Sequence, residues 1–182
     1  MYPAIFLDRD GVIIENCPDY VRSWADVQIF EQALAALAKL RHSPYKIVIV
    51  TNQSAIGRGI MTFEQAHSIN ARLVETIVHA GGRVDGIFIC PHTPDENCQC
   101  RKPRPGMLFQ AANHLSLDLS RSMMIGDAVS DLLAGKRAGV QQLALVQTGR
   151  GLLQSQLPVH RELGSFPIYD HLSSAMDDLV KS

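Results

Sequence analysis

Short runs rich in Ile and Val alternate with longer amphipathic stretches along this chain. That alternation limits the fold to a parallel sheet covered by helices. The clearest run is Lys46–Val50 (Lys-Ile-Val-Ile-Val), whose nearly unbroken apolar character marks a strand buried on both faces. Ala4–Leu7 reads as the strand before it, with Val84–Ile89, Ser122–Ile125 and Gln142–Val146 as later ones. Helical periodicity covers Glu31–Arg41, Phe63–His79, Gly106–His114 and Ser130–Ala138, and a last helix is expected over Ser173–Val180. The stretch from Gly149 to Pro167 is the most loop-like part. Strand then helix, repeated, predicts an α/β fold, a three-layer Rossmann-like parallel sheet. A length of 182 residues fits one domain spanning 1–182, with no internal repeat or linker.

Charge excludes several function classes. Seventeen Lys and Arg against eighteen Asp and Glu leave a formal charge of −1, which gives no bulk attraction to nucleic acid or to an anionic membrane. No apolar run approaches the ~20 residues that span a bilayer. The segment before Asp8 lacks the charged start and long apolar core of a signal peptide, so the cytoplasm is the expected compartment. Anions, if handled, must be met by a few placed cations.

Polar residues gather where the predicted strands end. Asp8, Thr51, Cys90 and Gly126-Asp127 each fall at or just past a strand's C-terminal end, the edge where open parallel sheets bind ligands. In Leu7-Asp8-Arg9-Asp10-Gly11, two carboxylates one residue apart can turn toward the same space, and Gly11 permits a tight backbone path. Asp and Gly are also ordinary turn residues, so alone this signal is weak. It is joined by Thr51-Asn52, by Lys102 in Arg101-Lys102-Pro103, and by Gly126-Asp127 with Asp131.

In order and strand context these four segments resemble the motifs of the haloacid dehalogenase superfamily of phosphotransferases. The resemblance implies that Asp8 is a nucleophile forming an aspartyl phosphate and that Asp10 is the general acid and base. It implies Mg²⁺ held by Asp8, the Asp10 carbonyl and Asp127, an all-oxygen set suited to a hard cation. Thr51, with Asn52 as a second donor, would bind the phosphoryl oxygens, and Lys102 would supply fixed positive charge. Asp131 has two readings: it orients Lys102 or a metal-bound water, or it is an exposed acid favouring a helix N-terminus.

Cys90, His92, Cys98 and Cys100 fall within one short segment. Three thiolates and an imidazole suit a tetrahedral structural Zn²⁺, although reduced surface thiols are the bland alternative. Arg101-Lys102 follows Cys100 directly, so a metal clip there would aim Lys102. Cys17 stands apart and reads as an ordinary thiol.

The loop narrows the resemblance to the histidinol-phosphatase-related zinc-loop branch, which acts on small phosphorylated metabolites. The match rests on Asp8-Arg9-Asp10-Gly11, Thr51-Asn52-Gln53-Ser54, Arg58-Gly59, the Cys/His loop and Arg101 to Met107. It implies a sugar bisphosphate as substrate, with histidinol phosphate the alternative. Substrate contacts are implied for Asn16, Asp19, Tyr20, Thr51, Asn52, Gln53, Ser54, Arg58, Arg101 and Lys102. Arg101 suits a second phosphate because a guanidinium grips phosphate bidentately. Ala128 departs from the pattern, standing after Asp127 where related sugar-bisphosphate enzymes carry a lysine.

The gaps between Asp8 and Thr51 and between Thr51 and Lys102 hold no separate cap domain, so loops including 16–24 would roof the pocket. Trp24 could pack over a sugar or anchor the core. A small-molecule phosphate ester is the expected partner, with no nucleic acid or membrane and a monomeric chain. Readings from other classes are a nucleic-acid end phosphatase and an inactive metal-binding scaffold. The near-neutral charge weighs against the first and the complete set of reactive positions against the second.

Overall fold

The computed structural model describes residues 1–158 and 160–180. Six strands form one parallel sheet: β1 (Ala4–Leu7), β2 (Lys46–Asn52), β3 (Gly86–Cys90), β4 (Met123–Gly126), β5 (Gln142–Val146) and β6 (Ile168–Tyr169). Their spatial order is β3-β2-β1-β4-β5-β6, with β1 pairing in parallel to β2 on one side and β4 on the other. The order reverses between β1 and β4, which opens a crevice at their C-terminal ends.

Side-chain alternation along the strands builds two cores. Ile5, Leu7, Ile47 and Ile49 face helices α1 (Glu31–Lys39), α3 (Phe63–His79) and α7 (Leu172–Leu179), packing with Leu37, Leu73, Ile77 and Met176. Ala4, Phe6, Val48 and Val50 point the other way, onto Met107, Leu108 and Ala111 of α4 (Gly106–Leu115) and onto Ala134 and Ala138 of α5 (Val129–Ala138). Every β1 side chain is therefore buried, as the continuous apolar runs require.

The helices stop and start for local reasons. Thr62 accepts the Gln65 N–H at 3.1 Å and Gln65 returns a bond to the Thr62 N–H at 2.8 Å, so α3 begins at Phe63 on a capping box. Its Ala66, Ile69, Leu73 and Ile77 are buried at helical spacing. The expected helix over Glu31–Arg41 is shorter, because its last turn tightens to 3₁₀ geometry at Leu40–His42. The third strand starts at Gly86, two residues later than expected.

The 149–167 stretch differs more. It holds a short helix, α6 (Gly151–Ser155), and leads into β6, while another one-turn helix, α2 (Ser54–Gly57), follows β2. These elements are too short for periodicity to reveal. Among the described residues no cap domain stands over the strand ends, and no helix is long and apolar enough to cross a membrane.

Candidate active site

Asp8 leaves β1 at the crevice with 5% of its surface exposed. Its Oδ1 lies 2.8 Å from the ammonium of Lys102. That ammonium also meets Asp131 Oδ1 at 2.7 Å and donates to the Val50 carbonyl at 2.8 Å. Three acceptors match the three protons of a lysine, so this buried cation is fully satisfied. Burial works against its charge, but Asp131 and Asp8 together raise its affinity for the proton. Asp8 is shifted upward too, which favours its neutral form. Burial raises it to about 8, with Lys102 pulling down and Asp131, Asp10 and Asp127 pushing up. The centre is thus short of positive charge.

Asp131 is 1% exposed, which removes the reading of it as a solvated helix-start acid. One of its oxygens takes Lys102 and the other accepts the Ala128 N–H at 3.1 Å, capping α5. The approach is possible because Gly126 has no Cβ; one there would strike the Asp131 side chain. Asp127, fully buried, closes the acidic group: carboxylate oxygens of Asp8, Asp127 and Asp131 lie within 4.8 Å of one another and could hold one hard cation. Gly11 adopts φ +84°, and a Cβ on it would collide with the Asp127 carboxylate.

Asp10 pairs with its neighbour Arg9, whose Nε and Nη2 each stand 3.0 Å from its carboxylate oxygens. Arg9 in turn donates from Nη1 to Asn70 Oδ1 on α3 at 2.9 Å. The Gln53 side-chain oxygen, turned as the network requires, accepts from Arg9 Nη2 at 2.9 Å. Thr51 is fully buried beneath the cavity, its hydroxyl 3.3 Å from Asp10 Oδ2. Asn52, expected as a phosphoryl donor, uses its side chain otherwise: it exchanges two 3.1 Å bonds with the backbone of Lys102 and fixes that residue's place.

A cavity of about 460 Å³ opens over these groups. Asp8, Asp10 and Lys102 line it, with Asn16, Tyr20, Asn52, Gln53, Ser54 and Arg101. Asp19 and Arg58 are exposed and outside the lining. Trp24 also lies outside it; the Arg72 guanidinium stacks 4.6 Å from its ring, and it packs against the core.

Sequence reasoning missed Arg150, which lines the cavity. Its backbone N–H donates to Asp127 Oδ2 at 2.9 Å and its Nη2 meets Oδ1 at 3.1 Å. The available signal was positional: Thr148-Gly149-Arg150 lies just past the end of β5, as the other site residues lie past theirs.

Beyond β3, Cys90 Sγ stands 3.6 Å from His92 Nδ1 and 3.5 Å from Cys98 Sγ. Cys100 Sγ stands 3.3 Å from His92 Nδ1 and 3.5 Å from Cys98 Sγ. Four ligands around one tetrahedral zinc are separated by roughly 3.5–3.8 Å, given its usual bond lengths. The loop therefore has the shape and chemistry to hold such an ion. Arg104 ties to it through the Cys98 carbonyl at 2.6 Å, and Arg101 through the His92 carbonyl at 3.1 Å.

Known proteins resemble this chain in sequence and in fold. A family model described as HAD-hydrolase-like matches residues 99–163. The D-glycero-β-D-manno-heptose-1,7-bisphosphate 7-phosphatase of Pseudomonas aeruginosa is 38% identical over 177 residues, covering 97% of each chain. The enzyme of that name from Yersinia pestis is 40% identical over 155 residues, covering 81% of this chain and 82% of its own. The crystal structure of the D,D-heptose 1,7-bisphosphate phosphatase of B. bronchiseptica, complexed with magnesium and phosphate, superposes with a TM-score of 0.90 at 33% identity over 98% of both chains. The chain belongs to the haloacid dehalogenase superfamily, in the family of the heptose bisphosphate phosphatases, and is a phosphoric monoester hydrolase.

Proposed function

We propose that this phosphatase hydrolyses D-glycero-D-manno-heptose 1,7-bisphosphate at its 7-phosphate through a phosphoenzyme on Asp8. The observation that carries the mechanism is the Asp8 carboxylate beside the buried Lys102 ammonium, at the point where the strand order reverses.

In the first step an Asp8 oxygen attacks phosphorus, and the sugar oxygen leaves with a proton from Asp10. Water then attacks the aspartyl phosphate while Asp10 takes its proton, releasing inorganic phosphate and restoring Asp8. Lys102, held by Asp131, stabilises the charge on the phosphoryl oxygens, and the Thr51 hydroxyl is a further donor to them. Arg9 donates to both Asp10 oxygens, so this carboxyl group is positioned before substrate arrives.

Asp8, the Asp10 carbonyl and Asp127 would hold Mg²⁺, whose charge offsets the repulsion between an anionic nucleophile and an anionic ester. Cys90, His92, Cys98 and Cys100 would hold a structural Zn²⁺ and brace the Arg101-Lys102 segment. Asn16, Tyr20, Asn52, Gln53, Ser54 and Arg101 are the cavity-lining substrate contacts in this reading, while Asp19 and Arg58 are exposed outside that lining. Residues 1–182 act as one monomeric domain in the cytoplasm, with no nucleic-acid or membrane partner.

Arg101 and Arg150 on the cavity favour a second phosphate over the cationic histidinol phosphate. The deciding experiment compares kcat/KM for the heptose bisphosphate, histidinol phosphate and simple sugar phosphates with Mg²⁺ present. The bisphosphate should lead by at least about tenfold. A lead for histidinol phosphate would overturn the substrate assignment, and no turnover of any phosphomonoester would overturn the mechanism.

A further inference from the structure

Arg150 makes more contacts to the acidic centre than any proposed step uses. Asp127 Oδ2 accepts from the Arg150 backbone N–H at 2.9 Å, from its Nε at 3.3 Å and from Asn16 Nδ2 at 2.7 Å. Asp127 Oδ1 meets Arg150 Nη2 alone among these donors, at 3.1 Å. The two oxygens are therefore unequal: Oδ2 is filled by three donors, and Oδ1 has one.

The residue is also built in two parts. Its backbone is pinned, because the Thr148 hydroxyl donates to the Gly11 carbonyl at 2.6 Å and a Cβ on Gly149 would strike Gly11 and Asn16. Its side chain is 56% exposed and lines the cavity, whereas Asp127 is fully buried. An anchored main chain with an open side chain can keep one hydrogen bond while changing the others. Without the guanidinium, three carboxylates face Lys102 alone, which favours a divalent cation but disfavours an anionic ester.

We propose that Arg150 is a substrate-binding residue whose guanidinium passes from Asp127 to an anionic phosphate of the ester when a divalent cation takes Asp127 Oδ1. This rests on the phosphatase reading above. Asn16 and the Arg150 backbone keep Oδ2 filled throughout, so the carboxylate holds its orientation while Oδ1 changes partner. A guanidinium suits the new partner, since its planar fork meets phosphate oxygens bidentately.

The full-length protein, Arg150→Gln and Arg150→Lys test it. Both variants retain the backbone N–H bond. Mg²⁺ affinity is measured by calorimetry without substrate, and kcat and KM are measured on the heptose bisphosphate. Arg150→Gln should bind Mg²⁺ about tenfold more tightly, since the competing cation is gone. Its KM should rise about tenfold with kcat within about threefold, and Arg150→Lys should recover most of that loss. Weaker Mg²⁺ binding with a lower kcat would overturn the proposal, because Arg150 would then serve to orient Asp127. Unchanged affinity and KM would overturn it as well. If the wild-type protein turned over no phosphomonoester, the parent reading would fail, while the Mg²⁺ titration would still decide whether Arg150 and the cation compete.

Discussion

The carboxylate centre and the Cys/His loop sit side by side but are held in opposite ways. Asp8, Lys102, Asp127 and Asp131 are each at most 5% exposed. Asp8 and Asp127 follow the innermost strands β1 and β4, Asp131 lies in the first turn of α5, and Lys102 reaches in from the segment after the Cys/His loop. Sheet register and one another's charges fix them: Lys102 alone bridges Asp8, Asp131 and the Val50 carbonyl. The loop leaves β3, an edge strand, and His92, Cys98 and Cys100 are only partly buried. Its shape depends on its own four ligands and on two arginines that grip its carbonyls. The difference separates a rigid reaction centre from a brace that can fail by itself.

The largest effect should come from the centre. Asp8→Asn is expected to lower kcat by roughly 10⁴-fold or more while the circular dichroism spectrum stays native. In metal-free buffer at neutral pH it should melt no lower than the wild type. Burial raises the proton affinity of Asp8 in the folded state, so that carboxyl stabilises the fold most below about pH 4 and progressively less as pH climbs toward about 8. The amide carries no such penalty. Easy turnover by this variant would remove the nucleophile assignment.

Lys102→Met comes next. Losing the cation should cost about 10²–10³-fold in kcat. It should also lower stability by about 3–5 kcal/mol in urea melts, because two buried carboxylates lose their shared partner. A variant that kept wild-type stability would show that the network is not what sets the centre.

At the brace, Cys98→Ser should lose bound zinc in elemental analysis and reduce activity by about 10- to 100-fold, through a displaced Lys102 segment. If that loss matched Asp8→Asn, the two regions would not be separable. Arg104→Ala is expected to be mildest, about 0.5–1.5 kcal/mol from the lost carbonyl bond, with zinc content unchanged.

Most of the centre was legible because strand ends are legible. A buried strand such as Lys46–Asn52 announces itself by composition, and the residue that follows must emerge at the sheet's edge. Asp8, Thr51 and Asp127 were found that way, and α3 was found to the residue because its Thr62 cap and apolar period agree. Arg150 was legible only by its place past the end of β5, and its role was not. Its partner lies 23 positions away in sequence, and the helix after it is too short for a periodic pattern. The burial of Asp131 was equally hidden, since it depends on the missing Cβ of Gly126 in three dimensions. Arg9 looked like a spacer between two acids, yet its guanidinium crosses to Asn70 on a helix far along the chain.

The placement of β3 at the sheet's border has a further consequence. The segment between His92 and Cys98 follows a strand that has no neighbour on one side among the described residues, and Pro94 within it borders the cavity. Residues can be added or removed there without disturbing any interior ladder. A change of length in this segment therefore alters the cavity wall at Pro94, and through the Arg101 bond to the His92 carbonyl it reaches the residue next to Lys102.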